Sequence, residues 1–97
     1  MGSGGVPNRT IIVVHGRSGD LPVKGAKPNS RYDLYSNNRR IQSRWFDSKG
    51  NAVRNRDYHH QDSNSNHYFP HDHDWDWSGD CPHRDKNPMI PDYNKFN

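Results

Sequence analysis

Apolar and polar residues alternate along the first half of this chain with the two-residue period of β-strands. The strand-like segment nearest the start, Thr10–His15, does not alternate but is a β-branched run that favours extended backbone. Three more strand-like segments follow at residues 31–36, 39–47 and 52–58. Asn37-Asn38 suits a two-residue hairpin turn, and Ser48-Lys49-Gly50 suits a type I turn closed by a glycine bulge. These segments predict an antiparallel meander of three strands, or of four if Thr10–His15 joins it.

The predicted turn lengths determine which residues face each other. A two-residue first turn places Leu34 opposite Ile41, and a three-residue second turn places Trp45 opposite Val53. One face of the sheet, expected to be the core side, then carries Tyr32, Leu34, Ile41, Trp45 and Val53. The other face carries Arg40, Arg44, Arg54 and Arg56, with Tyr35, Phe46 and Tyr58 among them. An open basic and aromatic face suits nucleic acid, because arginine binds phosphate and aromatic rings stack on unpaired bases.

The regular alternation ends after Tyr58, and prolines at positions 70, 82, 88 and 91 exclude a long helix. The segment at residues 88–96 has apolar side chains that can cross the sheet as a strap. The predicted fold class is mainly β or α+β, a small three- to four-stranded antiparallel meander with a long irregular His-rich C-terminal segment. Residues 1–9 are expected to form a flexible leader. Residues 10–97 are expected to form a single small domain, with the sheet at 10–58 and the His-rich loop and strap at 59–97.

Composition predicts a thin core and an uneven charge. Only 28% of the residues are hydrophobic, and the mean hydropathy is −1.37. Residues 1–56 carry eleven Lys/Arg and three Asp, whereas residues 57–97 carry three Lys/Arg and eight Asp. This division suggests a polyanion-binding surface beside a reactive or metal-binding loop; alternatively, the arginines only keep an exposed sheet soluble and pair with the aspartates. The single cysteine, Cys81, excludes an intramolecular disulfide, and no apolar run is long enough to span a membrane.

Five of the seven histidines lie within residues 57–77, a density that core packing does not require. Imidazole is both the commonest metal ligand and a proton carrier near neutral pH. On extended backbone, His71 and His73 point to the same side, about 6–7 Å apart. With His60 or His67 they can form a three-histidine metal site that keeps one coordination position open.

The same histidines suit metal-free RNA cleavage, which needs a base, an acid and cations that stabilise the anionic transition state. The predicted catalytic residues are His60, His67, His71, His73 and Arg44. The predicted substrate-binding residues are Arg40, Arg54, Arg56 and Tyr58. This mechanism needs no cofactor; in the alternatives, the four histidines hold zinc or another divalent metal, in a metal-dependent nuclease or in a non-enzymatic binding or structural module. Asp57 falls on the predicted apolar face, where it is expected to hydrogen-bond a histidine or a loop backbone.

Several short motifs follow one another along residues 27–77. They are Lys27-Pro28-Asn29-Ser30, Tyr32-Asp33-Leu34, Gln42–Asp47 with Gly50 and Ala52, Arg56-Asp57-Tyr58, His60, His67, and Pro70-His71 with His73 and Trp75. In order and spacing they resemble the C-terminal tip domains of bacterial polymorphic toxins. The chain departs from the pattern at Asn55-Arg56-Asp57, where Asp-Ile-Asp is expected, and at residues 63–66, where a Gly-Asn-Pro turn is expected. The start at Met1 is a further departure, since tip domains normally end a longer polypeptide.

The resemblance implies a nuclease, often a ribonuclease, that is secreted or delivered into a target bacterial cell and acts in its cytoplasm. It also implies a cognate immunity protein as a partner. Together with the histidines and arginines, it predicts an endoribonuclease toxin domain with RNA as its substrate and no membrane partner.

Overall fold

The computed structural model describes residues 9–58 and 70–97, which form a six-stranded mixed β-sheet. The strands are β1 (Thr10–His15), β2 (Ser30–Ser36), β3 (Arg39–Phe46), β4 (Ala52–Asp57), β5 (His71–Asp76) and β6 (His83–Arg84). They lie in chain order across the sheet; β1 runs parallel to β2, and every later neighbour pair is antiparallel. The β class is confirmed, and these two ranges contain no helix. The predicted three or four antiparallel strands are too few, because β5 and β6 extend the meander and β1 joins it in parallel.

The strand β5 lies within the segment predicted to be irregular. Its sequence HDHDWD alternates with period two, but both sets of side chains are largely polar. Pairing to β4 explains why it is extended: Asp72 lies opposite Arg56, and Asp74 lies opposite Arg54. Opposite charges directly across an antiparallel pair stabilise the pairing. Charge alternation on both strands therefore replaces the apolar alternation that usually indicates a strand.

Both hairpin turns form as predicted, but a β-bulge beyond each turn shifts the strand register. Asn37 and Asn38 adopt positive φ angles of 54° and 64°, and Gly50 closes the second turn with φ 80°. The bulges then pair Leu34 with Gln42 and Trp45 with Arg54. The predicted pairs, Leu34 with Ile41 and Trp45 with Val53, are therefore wrong by one residue in each hairpin. One extra residue in a strand moves every following side chain to the other face of the sheet.

The observed register divides the central strands into two faces that differ from the predicted ones. The first, called the histidine face below, carries the cross-strand rows Leu34–Gln42–Asp57–His71 and Tyr32–Arg44–Asn55–His73. The second, called the arginine face, carries the rows Asp33–Ser43–Arg56–Asp72 and Arg31–Trp45–Arg54–Asp74. Arg44 and Trp45 have thus exchanged faces relative to the prediction. Both faces combine apolar and charged side chains.

Loops pack on part of both faces, and Arg44 lies on the opposite face from Arg54 and Arg56, so the predicted basic face does not form as one open surface. On the histidine face, the loop between β1 and β2 buries Ala26 against Phe46 and Ala52. On the arginine face, the C-terminal segment places Phe96 on the ring of Trp45, with 5.7 Å between the ring centroids. Phe96, one of the apolar side chains of the predicted strap, therefore packs against the arginine face.

Candidate metal centre

Asp57, His71 and His73 bring three potential metal-ligand atoms to within 4.8 Å of one another. The β4–β5 register produces this cluster, because Asp57 lies directly opposite His71 and His73 follows two residues later on the same face. The Oδ2 atom of Asp57 lies 3.4 Å from His71 Nε2 and 3.7 Å from His73 Nε2. The two imidazole rings are nearly perpendicular, at 83°, with centroids 4.9 Å apart. All three residues are buried.

His73 presents a lone pair to the carboxylate of Asp57. Its Nδ1 atom lies 2.7 Å from the backbone carbonyl oxygen of Asp85. A carbonyl oxygen only accepts hydrogen bonds, so Nδ1 carries a proton. The pKa of His73 is lowered, and burial is the largest cause. In decreasing order of effect, the hydrogen bond with Asp85 raises this pKa, Arg84 lowers it, Asp57 raises it and His71 lowers it. In the neutral ring that burial favours, Nε2 is unprotonated and faces a carboxylate oxygen, an arrangement that a cation between the two atoms stabilises.

Two of the separations within the cluster match those around a tetrahedral metal ion, and all of them are at most 4.8 Å. Ligand atoms about 2.0–2.1 Å from a tetrahedral zinc ion lie about 3.4 Å from one another. The distances from Asp57 Oδ2 to the two imidazole nitrogens, 3.4 and 3.7 Å, are close to that value. Two imidazoles and one carboxylate are the three-ligand set of several catalytic zinc sites, in which a fourth position takes water or substrate. The bond from His73 to the Asp85 carbonyl is also the usual means of orienting a metal-bound histidine.

Two further side chains hold the carboxylate of Asp57. Gln42 Nε2 donates a hydrogen bond to Oδ1 at 3.0 Å, and Arg84 Nη1 lies 3.2 Å from Oδ2. Gln42 is buried on the same cross-strand row as Asp57, whereas the Arg84 side chain is 41% exposed. Oδ1 of Asp57 is therefore held by the buried Gln42, whereas Oδ2 lies near both histidines and the more exposed Arg84.

Arg44 adds a buried positive charge to the histidine face. It donates from Nε to Asn55 Oδ1 at 2.6 Å and from Nη1 to two carbonyl oxygens of the 17–29 loop, each at 2.9 Å. Its pKa is lowered to about 10, mainly by burial and to a smaller extent by Arg84, while Asp57 opposes the shift. Across the described ranges, all hydrogen bonds of this guanidinium go to neutral oxygens, so its charge is not cancelled by a directly bonded carboxylate. Arg44 therefore adds to the positive potential near the cluster.

Comparison with protein-family models, with curated proteins and with solved structures finds no match to this chain. The resemblance to toxin tip domains consequently stays a prediction. Residues 9–58 and 70–97 contain no helix that is both long and apolar enough to cross a membrane.

The predicted catalytic residues are only partly brought together. His71 and His73 form the cluster, and Arg44 lies on the same face of the sheet. His60 and His67 lie outside the residues that the structure describes. Asp57, expected to bond a histidine or a loop backbone, lies at the centre of the cluster.

The predicted substrate-binding residues belong to the arginine face, away from the histidines. Arg56 pairs with Asp72 at 2.7 Å, and Arg54 contacts Asp72 at 3.3 Å. Arg40 lies over the ring of Tyr58, 4.4 Å from its centroid. Tyr58 in turn donates a hydrogen bond to Ser43 on the same face. Their predicted role in binding substrate stays a prediction, but it would operate on the opposite side of the sheet from His71 and His73.

The sequence analysis did not select Gln42, Arg84 or the Asp85 carbonyl. One signal could have located the cluster: arginines alternate at 54 and 56, and aspartates alternate at 72 and 74. Antiparallel pairing of these two segments by charge places residue 57 opposite residue 71, as observed. Arg84 carries no comparable signal, because the two-residue strand β6 is defined only by its contact with β5.

Proposed function

We propose that this domain is a metal-dependent nuclease of the bacterial toxin type, in which Asp57, His71 and His73 hold a divalent cation. The observation that carries the proposal is the bond from His73 Nδ1 to a carbonyl oxygen, which turns an unprotonated Nε2 toward the Asp57 carboxylate. Zinc suits two imidazoles and one carboxylate. A bound divalent ion would supply a hydroxide nucleophile at neutral pH and would polarise a phosphoryl oxygen.

Each protein side chain then has a distinct task. The bond from Gln42 to Asp57 Oδ1 keeps the carboxylate oriented, and the bond to Asp85 keeps His73 in one tautomer. Arg44 and Arg84 supply positive charge for an anionic substrate, as in other sites that act on phosphodiesters. The sequence pI of about 9.2 and the basic first half of the chain favour nucleic acid as the polyanion.

A metal-independent endoribonuclease, the function favoured by the sequence, remains the second candidate because of one contact. Arg84 already places a cation 3.2 Å from Asp57 Oδ2, which offsets the carboxylate charge without a metal. Burial of the two histidines weighs against this candidate. His71 is 0% exposed and His73 is 3% exposed, whereas a general base must reach the 2′-hydroxyl of its substrate.

The deciding experiment combines metal analysis with RNA digestion by the purified domain. We expect one divalent ion per chain by elemental analysis, loss of cleavage in EDTA and recovery on addition of zinc. Asp57→Asn and His73→Ala should lose both metal and cleavage. His83→Ala is the matched control, because His83 also contacts an aspartate, at 3.4 Å, but its side chain is 65% exposed and lies outside the cluster.

Other outcomes identify the other candidates. Cleavage that persists in EDTA and leaves 2′,3′-cyclic phosphate ends would establish the metal-independent endoribonuclease. A stoichiometric metal without cleavage of RNA or DNA would establish a non-enzymatic module. A chain that neither binds metal nor cleaves nucleic acid would contradict the proposal.

Delivery into a target bacterial cell, action in its cytoplasm and a cognate immunity protein are also proposed, on the resemblance alone. The test is inducible expression in the cytoplasm of a bacterium. We expect growth arrest with the unchanged domain and none with Asp57→Asn at equal expression level. Normal growth with both would contradict a toxic action in that compartment.

A further inference from the structure

We propose that Arg84 exchanges partners during the catalytic cycle. In the metal-free protein it neutralises Asp57, and when a divalent cation binds it leaves Asp57 and holds the phosphate of the substrate. This inference rests on the metal site proposed above, and it assigns the phosphate-binding side chain of that site.

The position of Arg84 suits such an exchange. It lies in the two-residue strand β6, whose contact with the sheet is the pairing of Arg84 with Trp75 and of His83 with Asp76 on β5. Its side chain is 41% exposed, whereas the side chain of Asp57 is 7% exposed. One atom, Nη1, makes the contact with Asp57, at 3.2 Å. Of the groups around Oδ2, Arg84 is therefore the one with room to move.

The contact with Arg84 competes directly with a metal ion. The same oxygen, Asp57 Oδ2, faces Arg84 at 3.2 Å and the two imidazole nitrogens at 3.4 and 3.7 Å. A cation bound between the imidazoles and Oδ2 withdraws negative charge from that oxygen and repels the guanidinium. His71 and His73 are buried within β5 and cannot retreat. The binding of metal and the release of Arg84 are therefore thermodynamically linked.

The released guanidinium remains beside the metal with its donors unoccupied. A guanidinium presents a planar fork of donors that matches two oxygens of a phosphate. Arg44 cannot take this role as readily, because three hydrogen bonds to neutral oxygens hold it within the buried part of the face. We therefore assign fixed positive potential to Arg44 and direct phosphate contact to Arg84.

The test compares Arg84→Gln and Arg84→Lys with the unchanged protein. Zinc affinity is measured by calorimetry on protein stripped of metal, and thermal unfolding verifies that each variant is folded. The probe for the anion is inorganic phosphate, titrated into cobalt-loaded protein and followed by the visible absorption of the metal. Arg31→Gln is the matched control. It removes the same charge as Arg84→Gln, and Arg31 also pairs with a buried aspartate, Asp33, on the arginine face.

Arg84→Gln removes the competitor, so zinc should bind about five-fold more tightly, the upper range for one partly exposed ion pair. The same variant should bind phosphate at least about ten-fold more weakly, because a charged bidentate contact is lost. Arg84→Lys should recover part of the phosphate affinity as a point charge. Arg31→Gln should change neither affinity.

The opposite directions of the two effects separate this inference from a purely structural role of Arg84, which would weaken both affinities or neither. Unchanged or weaker zinc binding in Arg84→Gln overturns the exchange. Unchanged phosphate binding in that variant overturns the assigned phosphate contact. If the unchanged protein binds no divalent metal, the metal site itself is wrong, and the measurement then reports the failure of the proposed function.

Discussion

Replacing one carboxylate oxygen of buried Asp72 by an amide nitrogen should be one of the substitutions that most lowers the free energy of unfolding of this domain. Asp72 is 0% exposed and accepts hydrogen bonds from Arg56 Nε at 2.7 Å and from Arg54 Nη1 at 3.3 Å. Arg56 is itself 3% exposed and lies between the rings of Trp45 and Tyr93. Asp72→Asn keeps the shape of the side chain but leaves a buried guanidinium without its counter-charge, and it turns an N–H group toward other N–H donors.

The expected magnitude follows from the burial of the pair. Breaking a buried ion pair by neutralising one partner costs about 3–5 kcal/mol, a large part of the about 5–15 kcal/mol that stabilises a small domain. Asp74→Asn provides the matched control on the same strand and face. Asp74 also binds Arg54, at 2.7 Å, but its side chain is 49% exposed, so its loss should cost about 1 kcal/mol or less.

Urea unfolding followed by tryptophan fluorescence measures both variants, since Trp45 is buried at 1% exposure. With a urea dependence of about 1–3 kcal/mol per molar, Asp72→Asn should lower the midpoint by about 1 M or more. Equal midpoints for the two variants would refute the argument. That result would show that the guanidinium of Arg56 is solvated or rebound in the variant, and that burial does not govern the strength of these pairs.

Three further predictions concern the histidine face and the second turn. Burial lowers the pKa of His73 below its ordinary value of 6.5, so the unfolded chain binds the proton of this imidazole more tightly than the folded chain does. The stability that comes from burying neutral His73 is therefore complete above about pH 6.5 and is lost as pH falls toward the folded-state pKa. In EDTA, unfolding of His73→Gln should therefore depend less on pH below 6.5 than that of the control His83→Gln; equal slopes would contradict the shift. Gly50→Ala should lower the free energy of unfolding by about 1–3 kcal/mol, since φ is 80° and the added methyl meets a backbone carbonyl oxygen. Gly25→Ala is the control, because φ is 72° but the added methyl meets nothing within 4 Å, so its loss of stability should be smaller. The reverse order in thermal unfolding would be inconsistent with the packing. Gln42→Leu removes a hydrogen bond that orients the carboxylate of the cluster, and zinc affinity measured by calorimetry should fall about ten-fold; an unchanged affinity would show that this bond does not support the site.

The C-terminal strap illustrates a feature that could be predicted and a consequence that could not. Apolar side chains in the segment near residue 96 predict a strap that can cross the sheet. The face that it covers depends on the side of the sheet that carries Trp45, and the predicted side is wrong. Because Phe96 follows Trp45 to the arginine face, two of the arginines expected to meet substrate, Arg54 and Arg56, are instead packed against aromatic rings of the C-terminal segment.

Local features can be predicted from the amino-acid sequence: four of the strands, the two hairpin turns with their Asn and Gly residues, the β class, and the concentration of histidine and aspartate that suits metal or proton chemistry. These features depend on neighbouring residues, and neighbours can be recognised by alternation and turn composition. The composition of the two faces and the position of the metal-ligand cluster depend instead on how the strands pair. One bulged residue in each hairpin inverted the assignment of Arg44 and Trp45, since side chains alternate with a period of two. Pairing of β4 with β5 then brought Asp57 to His71 across a gap of 13 intervening residues, a contact that depends on the cross-strand pairing of charges and therefore has no signal in either segment alone.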